Sequence, residues 1–162
     1  MKNKNGFLLA EETLKIIIAV ICLVVLAYLI YSIYFTNISG TKLKQAQEVL
    51  TGSEQSLEKS MNRVLSTGTS ETFPVSSPSS WYFFSFIEGE KPNSCGGKNC
   101  LCICDKVLNF NSEKRQISEC GENGVCIQFE QLEKFEPIQI KKSTEGLTTL
   151  NIENFGGKIK LS

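Results

Sequence analysis

Ile16–Phe35 reads IIIAVICLVVLAYLIYSIYF, a run of 20 residues without a charge. As a helix rising about 1.5 Å per residue it covers about 30 Å, the thickness of a bilayer's hydrocarbon core. Tyr28, Tyr31 and Tyr34 gather in its second half, where aromatic rings settle at a membrane–water interface. The run therefore predicts one transmembrane helix over residues 16–35, with residues 1–15 as a cytoplasmic leader and helix start. Lys2 and Lys4 lie in that leader. Lys and Arg are retained on the cytoplasmic side, which places the N-terminus inside and the chain from Thr36 onward outside, in a single-pass arrangement at the cell membrane. A cleaved secretory signal is the competing reading. Its apolar region would be about 7–15 residues long and would end in an A-x-A-like site, and Asn37-Ile38-Ser39 is a poor one. Ile21 stands before Cys22 where a lipobox needs a small residue, so Cys22 reads as an ordinary apolar position.

Working outward toward the N-terminus, Gly6 is followed by Phe7-Leu8-Leu9-Ala10-Glu11 and then by the apolar run. With the basic leader, this resembles the start of a type IV prepilin, or an archaeal class III signal sequence, over residues 1–35. The resemblance implies cleavage after Gly6 by a prepilin peptidase on the cytoplasmic side. It also implies a new N-terminus at Phe7, often methylated, and an assembly role for Glu11, which becomes the fifth residue. A carboxylate in an apolar setting is costly unless paired, and in a filament of like subunits it can pair with a neighbour's α-amino group. The chain departs from that pattern at Glu12 and Lys15, which add charges, and at Asn5, which separates the glycine from the nearest lysine. Glu11 and Lys15 also form an i,i+4 pair in the favourable order. The alternative is a plain signal-anchor whose acidic pair faces the positive end of its own helix. The phrases FLLAEETLKIIIAV and NSCGGKNCLCICD also resemble membrane proteins of unassigned activity from small-genome archaea.

Beyond the apolar run, residues 36–65 read as a helical stalk. Leu43, Ala46, Leu50, Leu57, Met61 and Val64 fall at intervals of three, four and seven, a narrow helical stripe. Ser39 or Thr41 is a candidate cap, and a break is expected near Ile38-Ser39-Gly40. The stripe is expected to pack on the chain's own β-domain; a seam between subunits is the other use for it, but a coiled coil wants three or four heptads. Residues 66–80, STGTSETFPVSSPSS, read as a linker or extended loop.

Residues 81–162 form the expected cysteine-rich β-domain. Trp81–Phe86 is its most aromatic run and reads as the central strand. Cys100–Cys104, Val107–Phe110, Val125–Phe129, Ile138–Lys141, Leu147–Ile152 and Lys158–Leu161 are further strand candidates. Gly96-Gly97, Asn123-Gly124 and Gly156-Gly157 mark turns, the last within a terminal hairpin. The fold class is α+β: a long N-terminal transmembrane helix, an extracytoplasmic helical stalk, and a small antiparallel β-sheet domain with disulfides.

Six cysteines lie beyond the apolar run: Cys95, Cys100, Cys102, Cys104, Cys120 and Cys126. An even number in a small exported domain reads as three disulfides, with 15 connectivities open. In a strand, Cys100, Cys102 and Cys104 share one face, while Leu101 and Ile103 share the other. Residues two apart on one face are about 6.6 Å apart and diverge, so bridges within the trio are disfavoured. Cys95 lies near Cys100 across Gly96-Gly97. Cys120 and Cys126 remain for Cys102 and Cys104, with their order open. A metal centre is the rival reading, but zinc prefers C-x₂₋₄-C knuckles, and iron–sulfur spacing is missing.

Composition narrows function further. The chain holds 17 basic and 17 acidic residues and no histidine. Three basic and two acidic residues lie at or before the apolar run, which leaves 14 and 15 beyond it. Near neutrality offers no electrostatic reason to expect nucleic acid. Without histidine, the usual Ser-His-Asp and Cys-His catalysis is excluded, and C-x-x-C is missing too. No enzyme activity, cofactor or metal is expected. The expected partners are membrane lipid, with prepilin peptidase and like subunits implied by the resemblance. The first function to follow is a pilin-like surface or envelope structural subunit; the alternative is a signal-anchored extracytoplasmic binding module whose protein ligand the sequence leaves unnamed.

Overall fold

A computed structural model describes residues 5–52, 54–107 and 112–162, arranged as two compact units, one ending at Gly40 and the other running from Thr41 to Ser162. Its class is α+β, with an N-terminal apolar helix, two small antiparallel sheets and three disulfides.

Helix α1 spans Asn5–Gln47. Its stretch Thr13–Ile33, 21 residues long, is apolar enough to cross a membrane and none of it is buried within the protein. The break expected near Ile38-Ser39-Gly40 does not occur, because one glycine costs a helix only about 1 kcal/mol and no proline is present. Helical hydrogen bonding instead changes register at Glu48–Gly52, a single π turn. Chain direction is then reset before α2, Leu57–Thr67. Gly68 closes α2 in the left-handed conformation, φ 72°, donating its N–H to the Val64 carbonyl.

The second unit holds the two sheets. The first has the order β1–β6–β7, from β1 (Glu71–Val75), β6 (Thr148–Phe155) and β7 (Lys158–Leu161). Strict alternation along β6 and β7 buries Leu150, Ile152, Ile159 and Leu161 and leaves Asn151, Glu153, Lys158 and Lys160 outside. This is the pattern of a sheet wet on one face. The second has the order β4–β3–β2–β5, from β2 (Tyr82–Phe86), β3 (Cys100–Cys104), β4 (Val125–Gln128) and β5 (Ile138–Gln139). All its pairings are antiparallel.

The main core joins both sheets to the helices. Ala46, Leu50, Leu57, Met61 and Val64 are buried with Phe83, Leu101, Ile103, Leu150 and Ile159, and Leu43 packs at the margin. The stalk stripe is thus spent on the chain's own β-domain. The fold needs it there because the inner faces of two short sheets would otherwise be open to water.

Several sequence expectations are corrected. One sheet becomes two, since the terminal hairpin pairs with residues from the expected linker: Glu71–Val75 is β1, held opposite Ile152–Thr148. Trp81–Phe86 shares the sheet interior with β3, and β3 is the strand buried on both faces. Ser112–Asn123 is a helix, α3, which no apolar stripe announces. Of the expected strand Val107–Phe110, Val107 lies outside any strand and 108–110 fall outside the described residues.

Candidate functional site: the disulfide face of the second sheet

The alternation of CLCIC gives β3 two different faces. Leu101 and Ile103 enter the main core, while Cys100, Cys102 and Cys104 enter a second, separate cluster with Cys95, Cys120 and Phe84. The register with β2 sets three aromatic residues beside the three cysteines: Tyr82 opposite Cys104, Phe84 opposite Cys102, and Phe86 opposite Cys100. The rings follow one another at 6.2 and 6.3 Å between centroids, within the range of favourable aromatic pairs. Lys106 Nζ stands 5.3 Å from the Tyr82 ring centre, a cation–π contact. Helix α3 and the 3₁₀ turn Asn93–Cys95 pack on this side of the sheet.

The structure pairs all six cysteines. Cys95 joins Cys100 across the turn, with Gly96 and Gly97 both at positive φ. Cys102 joins Cys126, its direct cross-strand partner, with Cα atoms 4.1 Å apart. Cys104 joins Cys120 of α3, Cα atoms 5.1 Å apart. The order left open for Cys102 and Cys104 is therefore decided by β4, which lies flat against β3, and by α3, which rises over its end.

Two residues whose part here the sequence did not show make this possible. Gln116 is buried one helical turn before Cys120. Its amide nitrogen donates to the Asp105 carbonyl at 2.7 Å and lies 3.4 Å from Cys120 Sγ, while its Oε1 accepts from Val107 N–H at 2.9 Å. It thereby ties α3 to the end of β3. Gly124, between α3 and β4, has no room for a side chain: a Cβ there would meet Cys104 Cβ and the Cys120 carbonyl at 2.7 Å each. The Asn123-Gly124 turn signal marks the reversal but not this close approach.

The sulfurs of Cys95, Cys100 and Cys102 all lie within 4.8 Å of one another. That proximity suits a metal centre, but zinc binds thiolates, and here all three sulfurs are held in disulfides. A surface groove of about 480 Å³ beside the π turn, lined by Glu48, Val49, Gly52, Phe73 and Pro74, contains one titratable side chain, Glu48. The titratable side chains lining a second groove, of about 370 Å³, are Arg63 and Glu71, an ion pair at 2.9 Å.

At the other end of the chain, Gly6, Phe7 and Glu11 lie on the backbone of α1. Their side chains fall outside the described ones, so the structure does not bear on Glu11 and Lys15 as partners. No family model, curated protein or solved structure matches this chain.

Proposed function

We propose that this chain is a pilin-like surface or envelope structural subunit, anchored by its N-terminal helix and displaying a disulfide-stapled domain outside the cytoplasm. One observation carries the reading. A single helix, Asn5–Gln47, has an apolar stretch with nothing of the protein covering it, while residues near its end, Ala46 and Leu43, enter the core of the second unit. An uncovered stretch of 21 residues this apolar needs a nonpolar cover, either membrane lipid or the same helix of like subunits. A prepilin-type chain meets both in turn, first in the membrane and then in the assembly. The three disulfides favour an oxidising compartment, which supports placing the domain outside. A structural role agrees with the missing histidine.

Intact-mass spectrometry of the native protein tests this reading. The expected result is an N-terminus at Phe7, methylated, with six cysteines oxidised. Protease added to intact cells or spheroplasts should digest the domain from Thr41 onward. An N-terminus at Met1 would remove the pilin reading and leave the signal-anchored binding module. Complete protection from protease would remove the external placement as well.

A further inference from the structure

Two of the three disulfides touch. Cys102 Sγ lies 3.9 Å from Cys95 Sγ and 3.9 Å from Cys100 Sγ, so the Cys102–Cys126 bridge abuts the Cys95–Cys100 bridge in one buried cluster. Five of the six cysteines are fully buried; Cys126 alone is partly exposed. An external thiolate must make in-line contact with a disulfide sulfur to exchange with it. Cys126 is the one sulfur-bearing residue of the six that solvent reaches.

From this geometry we propose that Cys126 is a thiol-exchange site for a small-molecule thiol that reaches the domain from solvent, and that Cys102 carries the exchange inward to the Cys95–Cys100 bridge. The first step is attack of the external thiolate on Cys126 Sγ. A mixed disulfide forms there, the Cys102–Cys126 bond breaks, and Cys102 leaves as a thiolate. In the intact protein Cys102 Sγ lies broadside to the Cys95–Cys100 bond, 3.9 Å from each of its sulfurs, so the freed side chain must first swing to one end of that bond to attack in line. Cys100 is two residues away on the same strand face, where Cβ vectors diverge and a bridge is poorly formed. Cys95 stands on a separate turn, followed by two glycines at positive φ. Cys102 therefore attacks Cys95 Sγ. A Cys95–Cys102 bond forms, the Cys95–Cys100 bond breaks, and Cys100 leaves as a thiolate that takes a proton from water. Two disulfides enter the sequence and two leave it, one of them now mixed, so no separate oxidant or reductant is consumed. The exchange re-ties the 3₁₀ turn from one position of β3 to another and leaves a thiol at Cys100. It is independent of how the N-terminal helix is processed.

The test uses the full-length chain in detergent micelles with limiting reduced glutathione. Samples are quenched in acid, their free thiols are blocked with a maleimide, and the linkages are mapped by mass spectrometry. Glutathione is expected on Cys126 in about tenfold or greater preference over each of the other five, together with a new Cys95–Cys102 bridge and maleimide on Cys100. Cys104–Cys120 should remain intact, and Cys22 should be labelled in every sample as a reference. Glutathione appearing first on a buried cysteine, or a map showing Cys102 blocked beside an intact Cys95–Cys100 bridge, overturns the proposal. So does the absence of any exchange before the chain unfolds. Cys126→Ser tests the inward step alone, because it leaves Cys102 without its partner. Maleimide should then appear on Cys100 as well as Cys102; label confined to Cys102 refutes the transfer. Should that variant fail to fold, the map of the unaltered chain decides the matter by itself.

Discussion

Leu50→Ala tests whether the stalk belongs to the domain core or is held for a neighbouring subunit. Leu50 is fully buried with Phe83, Leu101 and Ile159 in the main cluster. The change removes three carbons, worth about 0.8 kcal/mol each in transfer alone, or about 2.4 kcal/mol. The gap left between two sheets and a helix cannot fully close, so the total should reach about 3–4 kcal/mol. Urea unfolding of the full chain in a nonionic detergent provides the assay. Trp81, the only tryptophan, sits in the same core with Lys42 Nζ 5.7 Å from its ring centre, and its fluorescence reports on that core directly. With a slope of about 1.5 kcal/mol per molar urea, the midpoint should fall by about 2 M. Leu147→Ala is the control: Leu147 is 64% exposed, and its loss should stay within about 0.5 kcal/mol. The reasoning fails if Leu50→Ala shifts the midpoint no more than Leu147→Ala does. It also fails if the Leu50 effect grows with dilution of the protein, since a seam between copies responds to concentration and a core does not.

Three further outcomes follow from the disulfide face and the stalk. Cys104→Ser should release Cys120 as a second free thiol beside Cys22, countable with a maleimide in the unfolded chain, and should cost about 2–5 kcal/mol in a thermal melt. Gly124→Ala should cost about 1–3 kcal/mol by overpacking, because its Cβ would lie 2.7 Å from both Cys104 Cβ and the Cys120 carbonyl; an unchanged melting temperature would contradict the close approach. Ser56 occupies the N-cap of α2 without making a capping hydrogen bond, and its buried hydroxyl has no partner among the described residues. Ser56→Ala should therefore change stability by less than about 0.5 kcal/mol, in contrast to the loss of about 1 kcal/mol at a working cap.

The parts legible in the sequence are those in which short-range patterning and the final environment agree. Charge-free length marked the apolar helix, and strict alternation marked β3 at Cys100–Cys104 and β7 at Lys158–Leu161, with the bounds the structure has. The stripe from Leu43 to Val64 named the apolar residues of the stalk that are buried, although the π turn at Glu48–Gly52 could not be read from it. A π turn is chosen by how the stripe meets two sheets, and a list of intervals does not contain that surface. Helix α3 escaped because Gln116 and Cys120, the pair that faces the protein, are not apolar in the ordinary sense. Their burial is balanced by hydrogen bonds and a disulfide, both of which need partners distant in the chain.

The candidate site divides in the same way. Side-chain alternation with a period of two places Cys100, Cys102 and Cys104 on one face of any strand they form. Simple reach across Gly96-Gly97 brings Cys95 to Cys100. These follow from the chain alone, because they depend on bond geometry within a few residues. The choice of Cys126 for Cys102 and Cys120 for Cys104 depends on the register of β4 against β3 and on where α3 crosses their end. Register is a property of two strands and the cores on both of their faces: slipping β4 by one residue would turn Ile127 out of the main core and carry Cys126 away from Cys102. Only the tertiary structure holds that information, because only there do the apolar face and the sulfur face of one sheet have to be satisfied together.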